Sequence, residues 1–180
     1  PGKITACDLP KKVFCEGEDP VVIGVNATQP TTGEIEVINV NTGIPVLHRT
    51  NINNSPAFDP GVGEGIYKIL YHYNDGTCKS IYEDLVEVKK TPVIDFRMKS
   101  DYCYGEKISI LPNYPGGKIT IDPLLPAETL VGYVFNTELS GRGVFHLDYE
   151  VTDENGCVGT GSTQFQVRGI ENMSVQVDPY

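Results

Sequence analysis

Apolar and polar residues alternate along much of this chain, in short runs separated by turn-forming residues. The alternation is clearest in residues 33–40, 65–73 and 143–151, where apolar side chains recur at every second position. A period of two places those side chains on one face of a β-strand. Further alternating runs occupy residues 21–27, 117–122 and 162–167. Because Gly, Pro, Asn and Asp separate the runs and long helical spacing is missing, the pattern predicts an all-β sandwich or barrel.

The chain contains the same sequence unit twice. Residues 14–18, Phe-Cys-Glu-Gly-Glu, return as residues 102–106, Tyr-Cys-Tyr-Gly-Glu. Residues 63–78 return as residues 141–157, with one residue added in the turn before the final cysteine. Self-similarity of this kind indicates two domains of one type in tandem.

The two copies, named repeat 1 and repeat 2 below, are predicted to occupy residues 1–90 and 91–169. Pro92 lies in the joint between them, where its ring fixes its own φ and restricts the residue before it, so we expect a stiff, extended connection. Within the last segment, residues 170–180, residues 173–180 resemble residues 93–102, which lead into the second aromatic-Cys element. We therefore predict a linker and the first strand of a truncated third repeat there, with a further cysteine soon after Tyr180 in the parent protein.

In each repeat, the strand before the last turn has one face rich in large apolar side chains. The inward residues are predicted to be Phe145, Leu147, Tyr149 and Val151 in repeat 2, and Tyr67, Ile69, Tyr71 and Tyr73 in repeat 1. A buried aromatic side chain removes roughly 150 to 250 Å² from water, so this face is expected to supply much of each core. His72 and His146 fall on the outer face in different repeats, and His48 lies elsewhere, so the histidines predict no metal site.

Four of the five cysteines occupy equivalent places in the two repeats. Cys15 and Cys78 in repeat 1 correspond to Cys103 and Cys157 in repeat 2. This equivalence favours one bridge in each repeat, Cys15 with Cys78 and Cys103 with Cys157. Free buried thiols and a zinc site are the alternatives, but CxxC spacing and a histidine partner are missing. Because disulfides persist in oxidising compartments, we predict a secreted or cell-surface protein.

The fifth cysteine, Cys7, has no partner in this scheme, because it corresponds to Asp95 in repeat 2. It is predicted to be either an idle, unpaired thiol or one half of an interdomain bridge to an upstream domain.

Charge and motifs exclude several classes of function. The formal net charge of -10 and the lack of a Lys/Arg cluster argue against a nucleic-acid partner. No run approaches the ~18 to 20 apolar residues of a spanning helix, so membrane insertion is not expected. Neither a Gly-x-Ser-x-Gly elbow nor a P-loop is present, and the adjacent carboxylates Glu83 and Asp84 would point to opposite faces of a strand. We therefore predict no catalytic, cofactor or metal site.

The segment Val-Thr-Asp-Glu-Asn-Gly-Cys-Val-Gly-Thr-Gly-Ser, residues 151–162, has three interpretations: a calcium loop, a reactive or bridged cysteine, and a phosphate cradle. Its Asp153, Glu154 and Asn155 could contribute to a Ca²⁺ site, which takes six to eight oxygen ligands. Asp59, Glu64 and Asp75 form a similar set in repeat 1. Asn-Gly and Asp-Gly are also hairpin sequences, and the EF-hand order is missing. A stapled turn is the preferred interpretation, and calcium binding stays an open hypothesis.

Three motifs together resemble a known family. They are the aromatic-Cys-x-Gly start of each repeat, the Gly-x-Phe/Tyr-x-aliphatic-x-Tyr strand, and the Thr-Asp-x-Asn-Gly-Cys ending. The combination is similar to the immunoglobulin-like or PKD-like repeats of large surface proteins exported by the type IX secretion system, such as gliding-motility adhesins. Repeat 1 departs from it in its ending, Asn-Asp-Gly-Thr-Cys, which is one residue shorter.

The resemblance implies two tandem immunoglobulin-like β-sandwich domains with Greek-key strand order, on the cell surface and associated with the outer membrane. It implies a non-catalytic module that acts as a disulfide-stapled spacer and adhesive rod. Its partners would be neighbouring repeats of the same parent chain and a surface polysaccharide or protein ligand. The alternative is a carbohydrate- or protein-recognition module of a secreted protein, to which exposed Tyr82 and Tyr104 could contribute contacts.

Overall fold

The structure, a computed structural model, describes residues 7–25, 32–126 and 129–169. The chain forms two compact units. Unit 1 comprises Pro1–Thr91 together with Asn155–Cys157, and unit 2 comprises Pro92–Glu154 and Val158–Tyr180. The short segment Asn155–Cys157 is thus part of repeat 2 in sequence and of unit 1 in space. The third repeat predicted at residues 170–180 lies outside the described residues.

The described residues of unit 1 form nine strands and two short 3₁₀ helices. The strands are β1 (Cys7–Asp8), β2 (Val13–Cys15), β3 (Val21–Val22), β4 (Gly24–Val25), β5 (Gly33–Asn39), β6 (Pro45–Asn51), β7 (Ala57–Phe58), β8 (Gly65–Asn74) and β9 (Lys79–Lys89). The 3₁₀ helices are Ile52–Asn54 and Pro60–Val62.

The main sheet of unit 1 has the strand order β2-β9-β8-β5-β6. Strands β8 and β9 form a long antiparallel hairpin, in which Asn74 is opposite Lys79 and Gly65 is opposite Val88. The edge strand β2 instead runs parallel to β9, with Cys15 beside Lys89. The remaining strands pair as β3-β7 and β1-β4. The first and last strands of the main sheet are therefore parallel neighbours.

The core of unit 1 lies between the main sheet and the smaller β3-β7 pair. Tyr67, Ile69 and Tyr71 of β8 are at most 1% exposed and share one cluster with Phe14 of β2 and Phe58 of β7. The ring centroids of Phe14 and Phe58 are 5.5 Å apart, in an edge-to-face arrangement. Because side chains of both sheets meet in one core, the unit is a β-sandwich.

Unit 2 repeats this plan with seven strands and one short helix among its described residues. The strands are β10 (Asp101–Cys103), β11 (Lys107–Ser109), β12 (Lys118–Asp122), β13 (Leu130–Val131), β14 (Val134–Asn136), β15 (Gly143–Thr152) and β16 (Val158–Arg168), and the helix is α1 (Thr137–Ser140). One sheet has the order β10-β16-β15-β12 and the other the order β11-β14-β13. Again the first strand, β10, runs parallel to the last, β16.

The core of unit 2 contains aromatic residues from both of its sheets. Phe135 of β14 lies 5.2 Å from Phe145 of β15 and 5.1 Å from Phe165 of β16, measured between ring centroids. These rings are at most 2% exposed, and Tyr149 and Leu147 complete the same cluster. The inward face predicted for residues 143–151 is the buried face.

The predicted all-β fold class, with two tandem immunoglobulin-like β-sandwiches, is confirmed. Strands β5, β8, β12, β15 and β16 lie where the alternating runs predicted them. The run at residues 21–27 differs over its described part, residues 21–25, which forms two short strands on either side of Ile23 rather than one. Ile23 is 1% exposed, and its N–H donates to the carbonyl oxygen of Pro56 at 2.8 Å. No helix among the described residues is long and apolar enough to cross a membrane.

Candidate functional site

Cys15 and Cys157 form a disulfide bond. Their sulfur atoms are 2.08 Å apart, and the two residues have a sequence separation of 142. Cys15 is the last residue of β2, and Cys157 comes directly before β16. The Cys157 side chain is 0% exposed, and its turn Asn155–Cys157 belongs to unit 1. The bond therefore joins the strand-end cysteine of repeat 1 to the turn cysteine of repeat 2.

The predicted bridge between Cys15 and Cys78 is wrong, because the two residues lie at opposite ends of β9. Cys15 is beside Lys89, the last residue of β9, and Cys78 comes directly before Lys79, the first residue. A strand of 11 residues spans about 36 Å at roughly 3.3 Å per residue. A disulfide requires Cα atoms within roughly 7 Å of each other.

The predicted bridge between Cys103 and Cys157 is wrong for the same reason. Cys103 is beside Arg168, the last residue of β16, whereas Cys157 precedes Val158, the first residue of that strand. Among the described residues, Cys78 and Cys103 are free thiols, and both are exposed. Each repeat thus supplies one cysteine to the bond, and among the described side chains each keeps one cysteine as a thiol.

Cys15 and Cys103 have the same backbone surroundings. The N–H of Cys15 donates to the Glu18 carboxylate at 2.9 Å, and the N–H of Cys103 donates to the Glu106 carboxylate at 3.2 Å. The ammonium group of Lys11, 2.7 Å from Glu18, and the Cys15 amide lower the pKa of Glu18, against the opposing effect of burial. The repeated Cys-x-Gly-Glu motif carried this signal, because its glutamate closes the turn that follows each strand-end cysteine.

The residues that follow β2 and β10 are also hydrogen-bonded to the last strand of their own sheet. The N–H of Glu16, which follows Cys15, donates to the Lys89 carbonyl at 2.8 Å. The N–H of Tyr104 donates to the Arg168 carbonyl at 2.7 Å. The parallel ladder thus continues one residue beyond each cysteine, and it fixes where the cysteine stands relative to the end of the last strand.

Cys78 and Cys157 occupy equivalent turns. Each comes one residue before the last strand of its repeat, and each follows a glycine by one or two positions. Gly76 has φ of +89° and Gly156 has φ of +85°, in the left-handed region that glycine adopts without a steric penalty. The extra residue of the second turn does not change this arrangement. The two turns differ in exposure, because Cys157 is buried in the disulfide and Cys78 is exposed.

The Asp75 carboxylate holds the turn that carries the free Cys78. Its oxygens accept the N–H of Cys78 at 2.6 Å, the N–H of Thr77 at 2.9 Å and the hydroxyl of Tyr73 at 2.9 Å. These bonds, the one from the Cys78 amide foremost, lower the pKa of Asp75. The same carboxylate raises the pKa of Tyr73. The Cys78 turn is therefore shaped by its own hydrogen bonds.

The two glycines on which the phosphate-cradle interpretation of residues 151–162 rests have a packing role. Gly159 and Gly161 lie in β16, where a Cβ on Gly159 would meet the carbonyl oxygen of Pro92, and one on Gly161 would lie 2.6 Å from Cβ of Ile94. Glycine at these two positions leaves room for residues 92–94 to cross the strand. The cradle interpretation is thus replaced by close packing within unit 2.

In the described part of the chain, no group of three or more His, Cys, Asp or Glu side chains is placed to hold a metal ion such as Ca²⁺. Asp59 caps the 3₁₀ helix Pro60–Val62, and its carboxylate accepts the N–H of Gly61 at 2.8 Å. Asp75 is engaged in its own turn. Glu64, Glu154 and Asn155 are exposed. Calcium binding stays a hypothesis for these loops.

An open concavity of about 890 Å³ lies on the outer face of the main sheet of unit 1. Its lining includes Glu34, Arg49, Asn51, His72, Lys79 and Ile81. Beside it, the Glu36 carboxylate lies 3.2 Å from Nε2 of His72 and 3.4 Å from Nε of Arg49. The surface offers charges of both signs and amide groups, which suit a polar ligand.

The predicted contact residues Tyr82 and Tyr104 differ in their surroundings. Tyr82 is only partly exposed and stacks on the buried Tyr71 with ring centroids 6.3 Å apart, so it belongs to the margin of the core. Tyr104 is 50% exposed and follows Cys103. The backbone of Cys7 pairs with that of Val25, and the state of the Cys7 side chain lies outside the described residues.

Comparison with known proteins gives structural likeness only. No family model matches the sequence, and no curated protein matches it. Among solved structures, the chain is similar to Sidekick-1 immunoglobulin domains 1–5, with 14% identity and a TM-score of 0.34 over 93% of this chain and 37% of that one.

Two further structures show likeness at the same level. Extracellular domains 3–5 of Drosophila OTK have 12% identity and a TM-score of 0.35, over 91% of this chain and 61% of that chain. Fibronectin(III)-like modules of Clostridium thermocellum CbhA have 17% identity and a TM-score of 0.33, over 93% and 96%. The chain thus spans about a third of the Sidekick-1 chain and less than two thirds of the OTK chain, and scores this low carry no information on what it binds.

Proposed function

We propose that this chain is a non-catalytic, extracellular repeat module of a large bacterial cell-surface adhesin, of the kind that serves cell adhesion and gliding motility. In this role it acts as a disulfide-stapled spacer and adhesive rod. The parent protein is exported by the type IX secretion system and is associated with the outer membrane. The Cys15–Cys157 bond carries the proposal, because it locks two successive repeats together covalently.

The bond supports a location outside the cytoplasm. Structural disulfides persist in secreted and surface proteins and are rare where thiols are kept reduced. In the chain-entropy model, a loop of 142 residues is worth roughly 5 kcal/mol, and measured values are often lower. For two small sandwiches, such a contribution is comparable with the stability of a whole domain.

The position of the bond supports a load-bearing role. When the two ends of the chain are pulled apart, tension passes from Cys15 through the sulfur atoms to Cys157 and then directly into β16. Strand β16 is already extended, so it transmits tension with little further lengthening. Residues 16–156 lie inside the covalent loop and carry no tension along this path.

The strand pairing also resists extension of the chain once the disulfide bond is reduced. In the main sheet of unit 1 and in the corresponding sheet of unit 2, the first and last strands are parallel neighbours, β2 with β9 and β10 with β16. In a parallel pair, the chain enters and leaves at opposite ends, so tension acts along the strands and loads their hydrogen bonds together. An antiparallel terminal pair would instead open one bond at a time.

Single-molecule stretching of the chain from its two ends tests this proposal. The oxidised chain should lengthen only by the segments outside the loop. After reduction, residues 16–156 should also become extensible, and the sequence separation of 142 corresponds to about 500 Å at roughly 3.5 Å per residue. They should be released in two steps, one for each unit. The spacer role is rejected if the oxidised chain already shows this full lengthening.

A second candidate function, recognition of a surface polysaccharide or a protein ligand, is favoured by the concavity around Arg49 and His72. Glycan-array binding by the chain, lost in Arg49→Ala, would favour recognition over the spacer role. Lys107→Ala, a surface change in unit 2, is the matched control. Absence of binding to glycans and to proteins of the parent cell surface would leave the spacer as the sole role.

A further inference from the structure

We infer that Cys78 and Cys103 each form a disulfide with the complementary cysteine of an adjacent repeat. Disulfides would then link successive repeats along the parent protein. Cys103 would take the turn cysteine of the repeat that follows, and Cys78 the strand-end cysteine of the repeat that precedes. This inference extends the proposed function from one bond to a whole array.

The first observation is the pairing rule set by the bond already formed. That bond joins the strand-end cysteine of one repeat, Cys15, to the turn cysteine of the next, Cys157. Among the cysteines whose side chains the structure describes, the other two are a strand-end cysteine in repeat 2 and a turn cysteine in repeat 1, and both are free and exposed. They fit the rule only with repeats on either side of this pair, because a bond between Cys103 and Cys78 would reverse the order of the repeats.

The second observation is that both thiols already stand in the backbone geometry of their bonded counterparts. Cys103 has the Glu106 hydrogen bond and the parallel register beside Arg168 that Cys15 has with Glu18 and Lys89. The Cys78 turn is held by the Asp75 carboxylate without any covalent help. Neither the Cys103 strand end nor the Cys78 turn needs to refold before its thiol can form a disulfide. This lowers the entropic cost of forming the bridge.

The third observation is that the side chains of both free cysteines are exposed to solvent. Cys157 is 0% exposed, and unpaired cysteines in folded proteins are usually among the most buried residues. Cys78 and Cys103 depart from this pattern, and both are accessible to a second thiol. The bonded turn cysteine is therefore buried, whereas the free turn cysteine, Cys78, is exposed.

The resulting array would place one disulfide at each end of the last strand of a repeat. In each repeat, the last strand begins directly after the turn cysteine and ends beside the strand-end cysteine, as β16 does between Cys157 and Cys103. Tension arriving at a turn cysteine would run along this strand for about 36 Å. It would then reach Arg168, which is linked to the Cys103 segment by backbone hydrogen bonds between β10 and β16.

Formation of each bond is an oxidation that requires an acceptor of two electrons. A disulfide oxidant, either the disulfide of an oxidoreductase or glutathione disulfide, is attacked by one thiolate and forms a mixed disulfide, and one thiol of the oxidant leaves. The second cysteine thiolate then attacks the mixed disulfide and releases the other thiol of the oxidant. Two cysteine thiols lose two protons and two electrons, and the oxidant is reduced to two thiols.

Two copies of the chain can test the inference, because Cys103 of one copy and Cys78 of another are a strand-end cysteine and a turn cysteine in the required order. We would prepare Cys78→Ser and Cys103→Ser variants, each in a Cys7→Ser background. The two variants would be mixed in equal amounts with oxidised and reduced glutathione. Non-reducing electrophoresis and mass spectrometry would then identify the cross-linked peptides.

Random pairing would give about twice as much mixed dimer as either homodimer, whereas matched surfaces raise the effective concentration of the complementary thiol. We expect roughly a tenfold or greater excess of the mixed Cys103–Cys78 dimer over each homodimer. The chain with only Cys7→Ser should form head-to-tail oligomers through the same peptide pair. Homodimers at their random share, or glutathione adducts without cross-links, would overturn the inference.

This outcome is separable from the test of the proposed function. The stretching experiment depends on Cys15 and Cys157, and the exchange experiment depends on Cys78 and Cys103. A chain that resists extension when oxidised but shows no preference for the mixed dimer would retain the spacer role and exclude the array of disulfides.

Discussion

Cys103 lies beside Arg168, the last residue of β16, whereas the cysteine that precedes β16 is bonded to the other repeat. Because β10 and β16 run parallel, the two cysteines of one repeat stand at opposite ends of one strand, about 36 Å apart. The same relationship holds for Cys15 and Cys78 on β9. This register makes a bridge within a repeat impossible and leaves the neighbouring repeat as the partner.

The connectivity itself is the first prediction. Digestion of the unreduced chain should yield one cross-linked peptide pair that contains Cys15 and Cys157. A thiol reagent applied to the native chain should label Cys78 and Cys103. Recovery of a Cys15–Cys78 or Cys103–Cys157 peptide pair would contradict the structure.

Removal of the bond should destabilise the chain. Cys15→Ser is expected to lower the free energy of unfolding by roughly 2 to 5 kcal/mol, because the unfolded chain regains the entropy of a long closed loop. Urea unfolding under non-reducing conditions would measure the change. Cys103→Ser is the matched control, since it alters the equivalent strand end where the thiol is free, and it should change stability by about 0.5 kcal/mol or less. Equal effects of the two changes would count against the assignment.

The Asp75 turn predicts a pH dependence with a definite sign. Hydrogen bonds to the ionised carboxylate, chiefly from the Cys78 amide, place the folded pKa of Asp75 below its ordinary value of 3.8. The turn should therefore be fully stabilised above pH 3.8 and lose this contribution as the pH falls through the lower folded pKa.

An NMR titration of the Asp75 carboxylate would measure the folded midpoint, with the urea-unfolded chain as the reference. The amide of Cys78 should exchange with solvent faster in Asp75→Ala than in the unaltered chain, because its acceptor is removed. A folded midpoint equal to or above that of the unfolded chain would contradict the hydrogen bonds described for this turn.

Because β16 packs against residues 92–94, a larger side chain at position 159 is predicted to destabilise the chain. In Gly159→Ala, the new Cβ would meet the carbonyl oxygen of Pro92, a backbone atom that cannot rotate away. We expect a loss of about 1 to 3 kcal/mol in the free energy of unfolding. Thr160→Ala, on the exposed face of the same strand, is the control and should have little effect. A Gly159→Ala chain as stable as its parent would show that the segment can move.

Much of the fold could be read from the chain because strands and turns leave local signals. The alternation of Phe145, Leu147 and Tyr149 identified the buried face of β15, and the glycines at positions 76 and 156 identified the turns. Each signal depends on residues a few positions apart. The short strands on either side of Ile23 were missed because their boundaries depend on a partner, Pro56, that lies far along the chain.

The candidate site was predicted less completely, for a related reason. The repeat identified Cys15 with Cys103 and Cys78 with Cys157 as equivalent positions, and this equivalence holds in the structure. The error was to infer from equivalence that the two cysteines of one repeat are neighbours. Equivalent positions share a local conformation, but distance in space depends on how whole strands are paired.

The sequence by itself determined the all-β class, the two repeats, their inward faces and the turns that carry Cys78 and Cys157, because side-chain periodicity and turn chemistry are local properties. Only the tertiary structure decided which cysteines bond. The parallel pairing of β2 with β9 and of β10 with β16 sets Cys15 and Cys103 at the far ends of their last strands. The length of one strand, about 36 Å, exceeds the reach of a disulfide several-fold, so the staple joins successive repeats instead of closing each one.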